Sequence, residues 1–159
     1  MDELLKMLER DSRLSAKQIA VALGREEADV QAAIDEYESN GTILKYTALI
    51  NKDNLDEEQV TSLIEVKISP QLGEGYDRIA QRIYQYDEVD SLYLMTGSYD
   101  LLVTMTAKSM KEAAAFVYDR LAAIEGVSST ATRFIMKKYK EQNCVFVKEF
   151  EQQERGIFI

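Results

Sequence analysis

Three apolar stripes at helical spacing fill the first 40 residues, and they restrict the fold of this chain more than any other feature. Leu4, Leu5 and Leu8 share one face of a first helix that ends near Asp11-Ser12-Arg13. Ser15-Ala16-Lys17-Gln18 opens a second helix as a capping box, in which the serine hydroxyl and the glutamine amide each satisfy a free backbone amide. Ile19, Ala20 and Leu23 form its apolar face, and Gly24 is predicted to end it in the left-handed conformation. The third helix runs from about Glu26 to Asn40, with Val30, Ile34 and Tyr37 at i, i+4 and i+7 and Gly41 just beyond. The short Ala22–Arg25 connection suits a helix-turn-helix corner. Ile43 to Ile50 then reads as a strand or wing, and Asn51 to Gln59 as a polar, acidic linker.

The charge pattern conflicts with this architecture. Glu26, Glu27, Asp29, Asp35, Glu36 and Glu38 lie on the third helix, and no Lys or Arg occurs between Arg25 and Lys45. A helix that enters the major groove of DNA normally brings basic side chains to phosphates and base edges. Of the net charge of −9, residues 1–60 carry −7 (7 basic, 14 acidic) and residues 61–159 carry −2 (12 basic, 14 acidic). The acidity therefore sits in the half whose architecture is that of a DNA reader. Acids in the first turn favour the helix dipole, so Glu26, Glu27 and Asp29 are expected to stabilise the helix itself.

Several chemistries are excluded by what is missing. The chain has no histidine, which removes the commonest general base, every Ser-His or Cys-His pair and the commonest zinc ligand. Cys144 is the single cysteine and cannot form an internal disulfide. With an acidic N-terminus unlike a signal peptide and no apolar run of membrane length, a reducing cytoplasm is expected. Gly73-Glu74-Gly75 is the one glycine pair that invites comparison with a phosphate loop, and a flexible helix start explains it better. No metal, no cofactor and no enzymatic activity are expected.

From Val60 the period changes. Ser62–Ser69 reads as a strand ending at Pro70, and Gly75 to Tyr86 as a helix with Tyr76, Ile79, Ala80 and Ile83 on one face. Strands follow at Val89–Met95 and Leu101–Ala107, joined by Thr96-Gly97-Ser98-Tyr99-Asp100. Ser109-Met110-Lys111-Glu112 is a second capping box, opening a helix that Gly126 terminates. Val127 to Lys138 alternates as a long strand, with Cys144–Lys148 as a further edge strand. The order β-α-β-β-α-β is the ferredoxin-like split motif, so the fold class is α+β: a winged helix-turn-helix followed by a four-stranded antiparallel sheet with both helices on one face. The uncovered face needs cover, and association through it is the simplest solution. An alternating set such as Leu92, Leu94 and Leu102, or their neighbours, is expected among its outward residues. The division predicted is 1–50, 51–60 as linker, and 61–159.

The layout as a whole resembles the Lrp/AsnC family of feast/famine regulators. The resemblance rests on Arg13-Leu14-Ser15 with Gln18-Ile19-Ala20 and Leu23-Gly24, and on Gly41-Thr42-Ile43-Leu44-Lys45-Tyr46-Thr47-Ala48. It continues through Val89 and the GxYD hairpin at Gly97-Ser98-Tyr99-Asp100 to Phe116, Leu121, Gly126-Val127, Thr130, Thr132 and Lys137-Lys138-Tyr139-Lys140. Where relatives carry Arg and Lys on the reading helix, this chain has Gln31, Ala32, Ala33, Asp35 and Glu36. The resemblance implies a transcriptional regulator with double-stranded DNA, an amino-acid effector and further copies of itself as partners. Arg10, Arg13, Lys17, Arg25 and Lys45 around the rim, with Gln31, are then the candidate DNA contacts. The effector is expected near Gly97, Tyr99 and Asp100, with Thr130 and Thr132 on the last strand. A backbone amide at Gly97 suits a carboxylate, Asp100 an α-ammonium group, and the threonine hydroxyls either. Two alternatives stay open: action through a protein partner without autonomous DNA binding, and the tetrapyrrole decarboxylation of a related branch. The latter relies on histidine, which this chain lacks.

Overall fold

In a computed structural model, the structure describes residues 2–56, 58–69 and 75–146, which divide into two compact units at Ile50/Asn51. The first unit holds α1 (Glu3–Arg10), α2 (Ala16–Leu23) and α3 (Glu27–Ser39). Asp2 caps α1 by accepting from the Leu4 amide, and Ser15 and Gln18 form the capping box of α2. Gly24 ends α2 at φ 64°, which turns the chain directly into α3. Leu4, Leu8, Ile19, Ala20, Val30 and Ile34 are the buried centre where the three apolar stripes meet. The segment 43–50 forms no strand, contrary to the sequence expectation of a wing. A strand exists only through a hydrogen-bonded partner, and no described residue of the chain supplies one for this segment.

The second unit holds a 3₁₀ turn at Lys52–Asn54, then β1 (Val60–Ile68), α4 (Tyr76–Ile83), β2 (Val89–Leu94), β3 (Leu101–Ala107), α5 (Met110–Phe116) and β4 (Val127–Phe134). The last element is a small hairpin of β5 (Lys140–Glu141) and β6 (Cys144–Val145). The strands lie in the order β2-β3-β1-β4, with every neighbouring pair antiparallel. After α5 the chain passes through a π-turn at Val117–Leu121. Cys144–Val145 pairs only with Lys140–Glu141 and does not extend the main sheet. Pro70, Gly73 and Lys148, expected at a strand end, a helix start and an edge strand, lie outside the described residues. No helix among the described residues is long and apolar enough to cross a membrane.

Register decides which side chains share a face. Thr132, Ile64, Val103 and Leu92 form one cross-strand row, and Thr130, Val66, Leu101 and Leu94 the next. Both rows face the helices, whose Ile79, Ile83, Ala113, Phe116 and Leu121 complete the core with Ile64, Val66, Leu101 and Val103. The opposite face carries the rows Ala131-Glu65-Leu102-Tyr93 and Arg133-Leu63-Thr104-Ser91. Of the alternating set expected on the uncovered face, Leu102 is there, with Leu63 and with Tyr93, the neighbour of Leu92 and Leu94. Leu92 packs on the core, and Leu94 lies on the helix side at the exposed edge. Glu65 and Arg133 join diagonally across the uncovered face at 2.8 and 3.2 Å.

Gly126 closes the corner before β4 at φ 93°, and its carbonyl accepts from the Ser69 amide at 2.9 Å. A Cβ there would stand 2.8 Å from Ile79 Cδ1, itself buried in the core. Gly126→Ala is expected to cost on the order of 1–3 kcal/mol through backbone strain and overpacking. Urea denaturation checks this; an unchanged midpoint would show that the corner absorbs a side chain without penalty.

Candidate functional site

Two regions carry the residues singled out in the sequence, one in each unit. In the first, α3 turns Val30 and Ile34 inward and presents Glu27, Asp29, Gln31, Ala32, Asp35 and Glu36 to solvent. Its solvent face contains no base. Glu26 occupies the N-cap without a side-chain capping bond, so its carboxylate is not consumed there. The hydroxyl of Tyr37 donates to Asp2 and that of Tyr46 to Glu38, each at 2.8 Å. Partial burial and its bond to Glu38 raise the Tyr46 pKa.

Arg13 and Gln31, both proposed to touch DNA, are already engaged by acids. Arg13 is largely exposed, yet its guanidinium holds Asp11 through two bonds of 2.9 and 3.0 Å. The same pairing holds the Asp11 carboxyl down at about 2, chiefly through the Arg13 side chain and then its backbone amide. Gln31 donates its side-chain amide to Asp35 at 2.7 Å, one helical turn away. Lys17, Arg25 and Lys45 are exposed and show no ion pair among the described residues. Sequence reasoning missed Asp11 as a competitor for Arg13, although it stands only two positions away.

In the second unit the hairpin between β2 and β3 is tied to the end of β1. The Met95 amide donates to the Asp100 carbonyl at 2.8 Å, and the Asp100 amide donates to the Val66 carbonyl at 3.0 Å. The Asp100 carboxylate accepts from the Ile68 amide at 2.7 Å, beside the register shift at Lys67/Ile68. Gly97 adopts φ 122°, a conformation that favours glycine, in open surroundings where a Cβ would touch nothing. Val66 is paired with Thr130, and Ile64, midway along β1, with Thr132. Both threonines are half-buried on the helix-facing side of the sheet. Asp100 is thus tied through Val66 to the row of Thr130, with Thr132 one row further along.

Two cations that sequence reasoning did not single out for this site also stand at this end. Lys67 donates its ammonium to the Ser98 carbonyl at 3.2 Å. Arg133 has its pKa raised by its pairing with Glu65, with a smaller contribution from the nearby Tyr99. The alternation of β4 puts Ser129, Ala131 and Arg133 on the face opposite Thr130 and Thr132, and that signal is present in the strand itself. A cleft of about 380 Å³ opens between α4 and β2, lined by Tyr76, Asp77, Tyr84, Leu92, Leu94 and Leu101 among others. None of the five effector candidates lines it.

Comparison with known proteins supplies the context for both regions. The family description "Lrp/AsnC ligand binding domain" matches residues 61–145. The HTH-type transcriptional regulator YugG of Bacillus subtilis is 42% identical over 145 residues, covering 91% of this chain and 87% of the relative. Among solved structures, the leucine response regulatory protein LrpA of Mycobacterium tuberculosis superposes with a TM-score of 0.75 at 20% identity, covering 92% of this chain and 100% of that one. The transcriptional regulator NMB0573 of Neisseria meningitidis, solved as a complex with L-Met, gives a TM-score of 0.70 at 22% identity, covering 89% and 93%. At these identities the two structures establish the fold.

Proposed function

The chain belongs to the Lrp/AsnC family of transcriptional regulators and is not an enzyme, and from that premise we propose that it binds duplex DNA as an oligomer and answers to an amino acid. Residues 1–50 read DNA, 51–60 link, and 61–159 sense the effector and assemble the oligomer in the cytoplasm. The observation that carries the DNA reading is the intact helix-turn-helix, with Lys17, Arg25 and Lys45 on its exposed surface. The acidic face of α3 weakens the grip, and Asp11 and Asp35 occupy Arg13 and Gln31 in the unbound protein. Linked reading heads offset that weakness, because the second head binds at high effective concentration. Assembly through the uncovered sheet face removes Leu63, Leu102 and Tyr93 from water.

The effector reading is supported by the bonds that tie Asp100, in the hairpin of Gly97 and Tyr99, to Val66 and Ile68, with Thr130 paired to Val66 and Thr132 one row further along. Asp100 has one carboxylate oxygen on the Ile68 amide and a second that suits an ammonium group. A second copy completes the open hairpin surface. The L-Met complex of the Neisseria relative supports an amino acid as the class of ligand.

Asp100→Ala is a poor test, because it also orphans the Ile68 amide, at a cost of about 1–3 kcal/mol. Asp100→Asn keeps an acceptor oxygen for that amide while removing the charge. Calorimetric titration with the twenty amino acids is expected to show binding to the wild type, a loss of at least ~10-fold in Asp100→Asn, and a similar loss in Thr132→Val. Unchanged affinity in both variants would remove these residues from the site. The partner-dependent reading is favoured by the same acidic helix, and absence of DNA binding by the purified chain would select it.

A further inference from the structure

One stretch of this acidic chain is strongly basic. Between Gly126 and Lys140 there are Arg133, Lys137, Lys138 and Lys140 and no acid at all, in a chain of net charge −9. Arg133 is neutralised by Glu65 and Lys138 by Glu141. Lys137 and Lys140 are exposed and form no ion pair among the described residues. The Lys137 ammonium lies 5.1 Å from the ring centroid of Tyr139, a residue about two-thirds open to solvent. This is not a loose tail. The Phe146 amide donates to the Tyr139 carbonyl at 2.9 Å, and Lys140 is paired with Val145 in the β5–β6 hairpin. Gln142 and Asn143 turn that hairpin with φ of 45° and 63°, the two-residue turn whose twist matches its strands. Two ammonium groups without an ion pair among the described residues, one of them over an exposed aromatic ring, thus stand at a hydrogen-bonded hairpin, the charge complement of a polyphosphate chain.

We propose that Lys137 and Lys140, with Tyr139 between them, contact the phosphate backbone of the bound duplex and supply sequence-independent grip that the acidic α3 lacks. The inference rests on the DNA-binding reading above. Duplex DNA is the favoured polyanion because the rest of the chain is built as a DNA regulator.

The test is fluorescence anisotropy with the full chain on two duplexes, its own upstream region and an unrelated sequence, between 50 and 200 mM salt. Lys137→Gln with Lys140→Gln is expected to weaken binding to both duplexes alike. It is also expected to make the log–log salt dependence shallower by about 0.9 for each phosphate no longer neutralised. Lys137→Arg with Lys140→Arg is expected to keep the wild-type slope, and light scattering is expected to give the same mass for all three proteins. Wild-type binding with an unchanged slope in the glutamine variant would overturn this inference and leave the DNA reading standing. No wild-type binding at any salt would overturn both. Loss confined to the upstream duplex would mean base readout, and loss of binding to phosphatidylserine vesicles with the duplex slope intact would mean a membrane contact; either overturns the proposal.

Discussion

Replacing Asp35 by Lys and Glu36 by Arg in the same chain is expected to raise affinity for any duplex, irrespective of sequence. Both residues lie on the solvent face of α3, past its first turn, so the dipole-favouring acids Glu27 and Asp29 stay in place. The substitution removes two repulsive charges, supplies two cations and releases the Gln31 amide from Asp35. If both new side chains reach phosphates, the salt dependence steepens by about 1.8 per reading head, and the advantage gained at 50 mM salt shrinks about 12-fold by 200 mM. Anisotropy titrations across that range check this. Equal affinity and equal slope for variant and wild type would mean that α3 does not face DNA.

A large loss is expected from breaking the proposed oligomer. Leu102 lies on the uncovered sheet face in a row with Glu65 and Tyr93, half-exposed and outside the core that the helices cover. Leu102→Asp leaves that core intact but places a carboxylate where the face of a second copy would bury it, next to Glu65. Light scattering is expected to report the 18.1 kDa chain alone. DNA affinity is expected to fall by roughly 10²–10⁴, the advantage that linkage confers on two heads. An oligomer of wild-type mass would show that the copies associate through some other surface.

The sequence showed the elements whose signals are local. The capping box at Ser15 and Gln18 and the left-handed stop at Gly24 each act within one turn of helix and are present; of the second expected box only the Ser109 cap forms, since Glu112 accepts from the Lys108 amide and not from that of Ser109. What required pairing was less visible. Leu92 and Leu94 alternate with Tyr93 in the sequence, but which of them faces the helices depends on the register of β2 against β3, and that register shifts between Val89 and Ser91. The segment 43–50 has the composition of a strand and lacks a ladder, because a strand's partner is not a property of its own residues. The π-turn at Val117–Leu121 interrupts a helix whose apolar spacing looked continuous.

The candidate sites show the same division. Gly97, Tyr99 and Asp100 are close together and carry a recognisable pattern, whereas the bond from the Ile68 amide to Asp100 spans 32 positions and appears only with the fold. Lys67 and Arg133 reach the hairpin end for the same reason, through register rather than proximity in sequence. The acidity of α3 was plain from composition. Its capture of Gln31, and the capture of Arg13 by Asp11, needed side-chain geometry.

An intact helix-turn-helix with an acidic reading helix is proposed to grip DNA by itself. A gel-shift series on the wild-type protein with its own upstream region, starting at low salt and rising to 200 mM, tests it most directly. A retarded band is expected at low salt that fades as salt rises, with a log–log slope set by the phosphates within reach of the exposed basic side chains and by the copies assembled. No retarded band even at the lowest salt would contradict it, and the acidic helix would then belong to a protein-facing surface.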